Sequence, residues 1–117
     1  HVIVHEPAAY EAWLSNMKIA PPKPQREQER RGQQLFLLRG CAACHTIMGT
    51  AAVGKRGPDL TRIGSRMTIA AGTLPPTEGN VAHWVAANDA VKPNNLMPSY
   101  GSLPREEIDA LAAYLMS

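Results

Sequence analysis

The two cysteines of the chain, Cys41 and Cys44, lie three positions apart, and His45 directly follows the second one. This spacing is typical of covalent haem attachment, in which two cysteine sulfurs form thioethers with the vinyl groups on one haem edge. The histidine after the second cysteine then lies under the iron as its proximal ligand. The motif therefore predicts one c-type haem, attached through Cys41 and Cys44 and ligated by His45.

A zinc site and a redox-active dithiol are the other sites that use two cysteines at this spacing. Zinc needs further ligands, usually a second Cys or His pair, and the sequence places none at a suitable distance along the chain. A thioredoxin-like dithiol belongs beside a βαβ pattern, which the sequence lacks. Haem attachment is the interpretation that the residues favour over these two.

The function of such a haem depends on what fills its second axial position. Met97 is the best candidate, because it lies 52 positions after His45 in the sequence, which is enough chain to reach the opposite haem face. Pro93 and Pro98 flank it in a rigid loop. Met67 is the competing thioether, and His83 would give bis-histidine ligation. If no side chain filled this position, the haem would be open to peroxide or gases, and the protein would be an enzyme or a sensor.

Residues after the motif are candidates for supporting the haem. The proximal histidine needs a hydrogen bond from its other ring nitrogen, and the turn Gly57-Pro58-Asp59-Leu60 could present the Pro58 carbonyl there, although Gly-Pro is also a common plain turn. Haem propionates need Arg, Lys or ring N–H partners. The candidates are Arg62, Arg66 and Trp84, although exposed arginines are mostly just solvated.

Composition sets limits on the remaining functions. The 117 residues suffice for one compact domain, and the net charge of +2 is too weak to indicate nucleic-acid binding. No apolar run approaches the roughly 18 residues that cross a bilayer. The chain starts without Met or a signal peptide, so we expect a mature product or a piece of a longer protein. The haem motif itself predicts an extracytoplasmic location, on the periplasmic side in a bacterium.

The first part of the chain is predicted to be an arm separate from the main domain. A short β-prone run, residues 1–5, precedes a helix that opens near Pro7 and carries an apolar face. The proline-rich stretch 19–25 cannot continue a helix and is expected to be extended. We therefore predict an N-terminal arm over residues 1–24 and the main domain over residues 25–117.

The main domain is predicted to be all-α, with long loops. Apolar spacing predicts helices over residues 25–38, from 78 to about 88 with Thr77 as N-cap, and from Pro104 onwards. Residues 46–77, rich in glycine and proline, are expected to form a long loop with one helical turn near residues 60–63. So long a loop is unusual in a compact domain, but a haem would give it a surface to pack on.

These residues together resemble class I cytochromes c over about residues 30–116. The resemblance is carried by Gly32 and Phe36, the haem motif, the turn from Gly57 to Leu60, Trp84, Asn95-Leu96-Met97-Pro98, and the segment 107–115. It implies a fold of three to four helices wrapped with long loops around one covalent haem. It also implies His45 and Met97 as iron ligands, Pro58 as the support of His45, and Trp84 as an aromatic residue beside the haem.

The arm and the loop 64–75 also resemble subunit II of caa-type haem–copper oxidases, in which a cytochrome c domain follows a copper-binding domain. The chain has no cluster of copper ligands, so it would be the excised C-terminal domain of a membrane-anchored subunit. The resemblance implies an electron-transfer domain that is no enzyme in isolation. Its donor would be a cytochrome c or a bc-type complex, and its acceptor the oxidase's copper centre. The alternative is a freestanding cytochrome c or the haem subunit of a dehydrogenase.

Overall fold

A computed structural model describes residues 2–117, which contain four α-helices and no strand beyond two isolated bridges. The helices are α1 (Pro7–Met17), α2 (Glu27–Leu38), α3 (Glu78–Val91) and α4 (Arg105–Leu115). Short 3₁₀ turns occupy Cys41–Ala43, Ile63–Ser65 and Ala70–Gly72. The all-α prediction is confirmed. His1, the first residue of the β-prone run, lies outside the described residues, and residues 2–6 form no regular element.

Local sequence explains where the helices of the main domain begin. Glu29, in the first turn of α2, accepts hydrogen bonds from the backbone N–H groups of Gln25 (2.8 Å) and Arg26 (3.0 Å), which satisfies donors that a helix start leaves free. Thr77 accepts a hydrogen bond from the Asn80 N–H (3.2 Å) and is the N-cap of α3, as predicted. Helix α4 follows Pro104 and carries acidic residues in its first turn.

The closest helix packing is between α2 and α4, and it depends on Gly32. A Cβ atom at this position would lie 2.0 Å from the Ala110 carbonyl oxygen and 2.6 Å from the Tyr114 Cβ. Next to this crossing, the Phe36 ring meets the Tyr114 ring edge-on at 5.9 Å. An ion pair between Arg39 and Glu107 (2.7 Å) joins the end of α2 to the start of α4. The lack of a side chain at Gly32 therefore lets the backbones of α2 and α4 approach closely.

The core lies between α2, α3 and α4 and extends under the loop that follows the haem motif. Its buried side chains are Leu35, Phe36, Ile47, Ala52, Ile69, Val81, Ala82, Val85, Ile108, Ala110, Leu111, Ala112 and Tyr114. Helix α1, in contrast, contributes no buried residue. The division into arm and domain remains a prediction.

The loop between the motif and α3 is more structured than the sequence predicted. Antiparallel bridges pair Thr46 with Val53 and Ile69 with Leu74. The helical turn expected at residues 60–63 lies slightly later, at Ile63–Ser65, and a second turn follows at Ala70–Gly72. Ala70 and Ala71 adopt positive φ values of 51° and 57° there, a conformation that side-chain patterns do not reveal.

Candidate haem-binding site

The segment Cys41–His45 forms a tight turn that begins just after α2. The N–H groups of Cys44 (3.1 Å) and His45 (2.9 Å) both donate to the Cys41 carbonyl. In a 3₁₀ turn, residues three apart lie on the same side, so Cys41 and Cys44 share one side of the turn. Both thiols are unbridged and partly buried, and burial raises the pKa of the Cys41 thiol. Two unbridged thiols on one side of a turn suit attachment to a single haem edge.

The His45 ring is buried, with 8% of the residue exposed, and it is held by a carbonyl group. Its Nδ1 lies 2.8 Å from the Pro58 oxygen. A carbonyl can only accept, so Nδ1 carries a proton, and in the neutral ring Nε2 then keeps its lone pair. This is the tautomer in which imidazole can bind a metal through Nε2.

The turn that presents the Pro58 carbonyl is fastened to the haem motif by backbone hydrogen bonds. The Gly54 N–H donates to the His45 oxygen (3.1 Å), and the Gly57 N–H donates to the Cys44 oxygen (2.7 Å). Gly57 also lies against the His45 ring, since a Cβ atom there would be 2.5 Å from Cε1 and 2.7 Å from Nδ1. The position therefore requires a residue without a side chain.

Met97 is partly buried and packs against the core, whereas the competing thioether of Met67 is 56% exposed. The Met97 N–H donates to the side-chain oxygen of Asn95 (2.9 Å), and the Asn88 side chain donates to the Pro98 carbonyl (3.0 Å). Hydrogen bonds thus hold the chain on both sides of Met97.

Several partly buried apolar side chains pack against the core in the three segments that carry these groups. They come from the motif, the loop and the Met97 segment: Cys41, Ala42, Leu60, Ile63, Leu74, Met97, Tyr100 and Leu103. Burial, and then the nearby sulfurs of Cys41 and Cys44, raise the pKa of Tyr100. Tyr100, three residues after Met97, therefore lies near the two cysteines. Two thiols, an imidazole with a free lone pair, a thioether and apolar side chains are groups that fit a c-type haem.

The sequence profile of the family described as "Cytochrome c" matches residues 29–117, about three quarters of the chain. The chain belongs to the cytochrome c family. A cytochrome c domain binds haem c covalently, here through Cys41 and Cys44, and transfers electrons through it. The predicted cofactor, fold class and general function are confirmed at this level.

Three relatives extend the likeness into the arm. The chain is 33% identical, over 99% of its length, to "Cytochrome c oxidase subunit 2" of Alkalihalophilus pseudofirmus. It is 32% identical, over 92% of its length, to the subunit of the same name from Bacillus sp. (strain PS3). The subunit from Bacillus subtilis is 29% identical over 91%. The chain spans about a third of the length of each relative. The predicted resemblance to oxidase subunit II is confirmed as a likeness.

A solved structure supports the fold. The c-type cytochrome SorU from Sinorhizobium meliloti superimposes with a TM-score of 0.56 and 28% sequence identity. The match covers 79% of this chain and 91% of SorU. The class I cytochrome c fold predicted from sequence agrees with this match.

The candidate propionate partners are placed in three different environments. The Arg66 guanidinium donates to the Asp59 carbonyl, and Trp84 is partly buried on α3. Arg62 donates to the Asn16 and Ile19 carbonyls at the end of α1, so its guanidinium is already engaged with the arm. Propionate contacts by these residues remain predictions.

Sequence reasoning missed several residues of the cytochrome c site. Asn88 and Asn95 look like surface residues in the sequence, yet Asn88 is fully buried and both bond to the Met97 segment. Tyr100 was not identified either. The signal that could have found them is the density of asparagines around Met97, because buried amides are retained only where hydrogen bonds satisfy them.

Proposed function

We propose that the domain is an electron carrier whose haem iron is ligated by His45 and Met97. The observation that carries this proposal is that the His45 ring and the backbone around Met97 are both held by hydrogen bonds. The Nδ1–H of His45 is committed to the Pro58 carbonyl at 2.8 Å, which leaves Nε2 free to bind. Met97 is the partly buried thioether with its backbone held on both sides, while Met67 is exposed.

The protein's part in electron transfer is to keep these ligands still. Haem, when bound, supplies an iron that alternates between the ferrous and ferric states. Pro58 orients the imidazole and raises its basicity through the hydrogen bond to Nδ1. Met97 would supply a second, soft ligand to that iron, which would favour the ferrous state and give a relatively high reduction potential. With His45 and Met97 both bound to the iron, no position would be left for a substrate, so the domain by itself would be a carrier and not an enzyme.

We infer further that the chain is one part of a haem–copper oxidase subunit II. The support is that all three relatives are named "Cytochrome c oxidase subunit 2", and that the likeness to one of them covers 99% of the chain, which includes residues of the arm. In that setting the domain accepts electrons from a respiratory donor, a cytochrome c or a bc-type complex, and passes them to the copper centre of the same subunit. It lies on the periplasmic side, anchored through the rest of the subunit.

A freestanding cytochrome c, or the haem subunit of a dehydrogenase, is the second candidate. It is favoured by the match to SorU, because 91% of that whole chain is covered by this domain. A chain of this architecture can therefore exist by itself. No helix within residues 2–117 is long and apolar enough to span a membrane.

Substitution of Met97 tests the ligation. Met97→Ala in the haem-loaded protein should abolish the low-spin spectrum, lower the reduction potential and allow carbon monoxide to bind the ferrous form. Met67→Ala is the matched control and should change none of these. A Met97→Ala protein with an unaltered spectrum and potential would show that another group is the ligand. Carbon monoxide binding to the unsubstituted protein would favour an open site for catalysis or sensing.

The native protein tests the oxidase assignment. Purified from its own membranes, it should contain copper as well as haem c and should oxidise a reduced donor with oxygen as acceptor. Cys41→Ser together with Cys44→Ser should remove the covalent haem and the activity with that donor, while the copper remains. A native protein no larger than this domain and without copper would favour the freestanding carrier.

A further inference from the structure

Helix α3 is kinked, and the segment after Met97 docks at the kink. Ala87 leaves the helical conformation there, with φ −144° and ψ 45°. The carbonyl of Val85 accepts a hydrogen bond from the Tyr100 N–H (3.0 Å), and the carbonyl of Ala86 accepts one from the Ser99 hydroxyl (2.6 Å). Side chains or backbone groups that enter the helical hydrogen-bond ladder are a common cause of kinks. The kink thus presents α3 carbonyls to the Met97 segment.

Asn88, the next residue, is the link between the kink and the chain on both sides of Met97. It is 0% exposed. Its Nδ2 donates to the Pro98 carbonyl (3.0 Å), and its Oδ1 accepts from the Asn95 Nδ2 (2.9 Å). A buried amide is costly unless its hydrogen bonds are made, and here the donor and the acceptor are both used. One side chain therefore contacts the residue after Met97 and the residue two before it.

Asn95 carries the connection to the Met97 backbone. Its Oδ1 accepts from the Met97 N–H (2.9 Å), while its Nδ2 donates to Asn88, to the Asp89 carboxylate (3.0 Å) and to the Lys92 carbonyl (3.0 Å). The amide is thus bonded on both sides and cannot rotate without loss of these contacts. Met97 itself lies in a loop, but it is held by a hydrogen-bond network that is anchored in α3.

We propose that Asn88 and Asn95 are positioning residues that hold Met97 in place as an axial ligand, with the α3 kink as their anchor. The proposal rests on the proposed function, in which Met97 ligates the iron. A thioether is a neutral, weak ligand, so its occupancy depends on how little freedom it loses on binding. The network removes that freedom when the protein folds, which is preorganisation. Without it, Met97 would compete less well against an external ligand.

The test is competition by imidazole for the ferric iron in the haem-loaded full chain. Asn95→Ala removes the acceptor of the Met97 N–H, and Asn88→Ala removes both contacts of the buried amide. Each variant should raise the affinity for imidazole about tenfold or more. The reason is that a buried polar group left without its hydrogen bond shifts an equilibrium, here the competition between Met97 and imidazole, by about one to two powers of ten. Each should also weaken the charge-transfer absorption band of thioether-ligated ferric iron. If Asn88→Ala does not fold, the partly buried Asn95 still provides the test.

Asn80→Ala is the matched control. Asn80 is also on α3 and also donates from its side chain to a loop carbonyl, that of Pro75 (3.0 Å), but that loop does not carry Met97. The Asn80→Ala variant should leave imidazole affinity within about twofold of that of the unsubstituted protein, which is small compared with the roughly tenfold change expected for the other two variants. If the Asn88 and Asn95 variants behave like Asn80→Ala, the positioning role is refuted.

Met97→Ala, measured in the same experiment, separates this proposal from the proposed function. Loss of the thioether band in Met97→Ala together with unchanged Asn variants overturns the positioning role alone. Retention of the band in Met97→Ala overturns the ligand assignment, and the positioning role falls with it. Loss of the band in Met97→Ala, with raised imidazole affinity in both Asn variants, supports both.

Discussion

Gly57→Ala is the substitution that most sharply tests how His45 is held. The added Cβ would lie 2.5 Å from Cε1 and 2.7 Å from Nδ1 of the ring, whereas ordinary contacts begin near 3.4 Å. The ring or the turn must therefore move by roughly 1 Å, about what it takes to break the 2.8 Å bond from Nδ1 to Pro58. Gly57 does not have a positive φ, so the effect is steric and not one of backbone strain.

The expected cost combines a lost hydrogen bond to a buried group with overpacking. Each is worth about 1–3 kcal/mol, so Gly57→Ala should lower the free energy of unfolding of the haem-loaded protein by about 2–6 kcal/mol. Guanidinium unfolding measures this, and the reduction potential should change as well, because the ligand loses its orientation. Gly79→Ala is the control, since nothing lies within 4 Å of a Cβ there. Equal stability and potential in the two variants would refute the reasoning.

Three further predictions concern the fold around the site. Gly32→Ala should destabilise the protein by about 3 kcal/mol in chemical unfolding, because its Cβ would collide with the Ala110 carbonyl; a loss below 1 kcal/mol would contradict the α2–α4 crossing. Hydrogen bonds from Arg26 and the backbone lower the pKa of Glu29 from 4.5 to about 2, so stability present above pH 4.5 should be lost as the pH falls towards 2. Glu29→Gln should flatten that decline, and an unchanged profile would exclude Glu29 as its source. Arg62→Ala should speed hydrogen exchange at the end of α1 about 5- to 30-fold, as expected for a loss of 1–2 kcal/mol, with the reduction potential unchanged; a shifted potential would instead indicate a propionate contact.

The helices and the haem motif could be predicted from sequence because their signals are local. Thr77 is the N-cap of α3 as expected. The apolar spacing of Ile108, Leu111, Ala112 and Leu115 predicted the inner face of α4, on which the first three are buried and Leu115 is partly buried. The CxxCH spacing indicates the cofactor because two thioethers on one haem edge require that separation. Met97 was selected by its place in the chain and its prolines, which are also sequence features.

The residues that support the ligands could not be predicted, because their roles arise from contacts between distant segments. No proline in α3 predicts the kink at Ala87, and the role of Asn88 depends on its hydrogen bond to Pro98, which the sequence does not predict. Arg62 was considered for a propionate, but its guanidinium donates to the carbonyls of Asn16, in α1, and Ile19, just after it, which lie more than 40 positions earlier in the chain. The identities of these residues can be read from the sequence, but the contacts between them cannot be predicted from it.

Iron K-edge X-ray absorption of the haem-loaded protein tests the central claim most directly, because it reports the atoms bound to the iron. The account predicts one sulfur ligand together with the porphyrin nitrogens and the His45 nitrogen, and it predicts that the sulfur disappears in Met97→Ala. An iron with no sulfur ligand, or with a second imidazole in place of the sulfur, would contradict it.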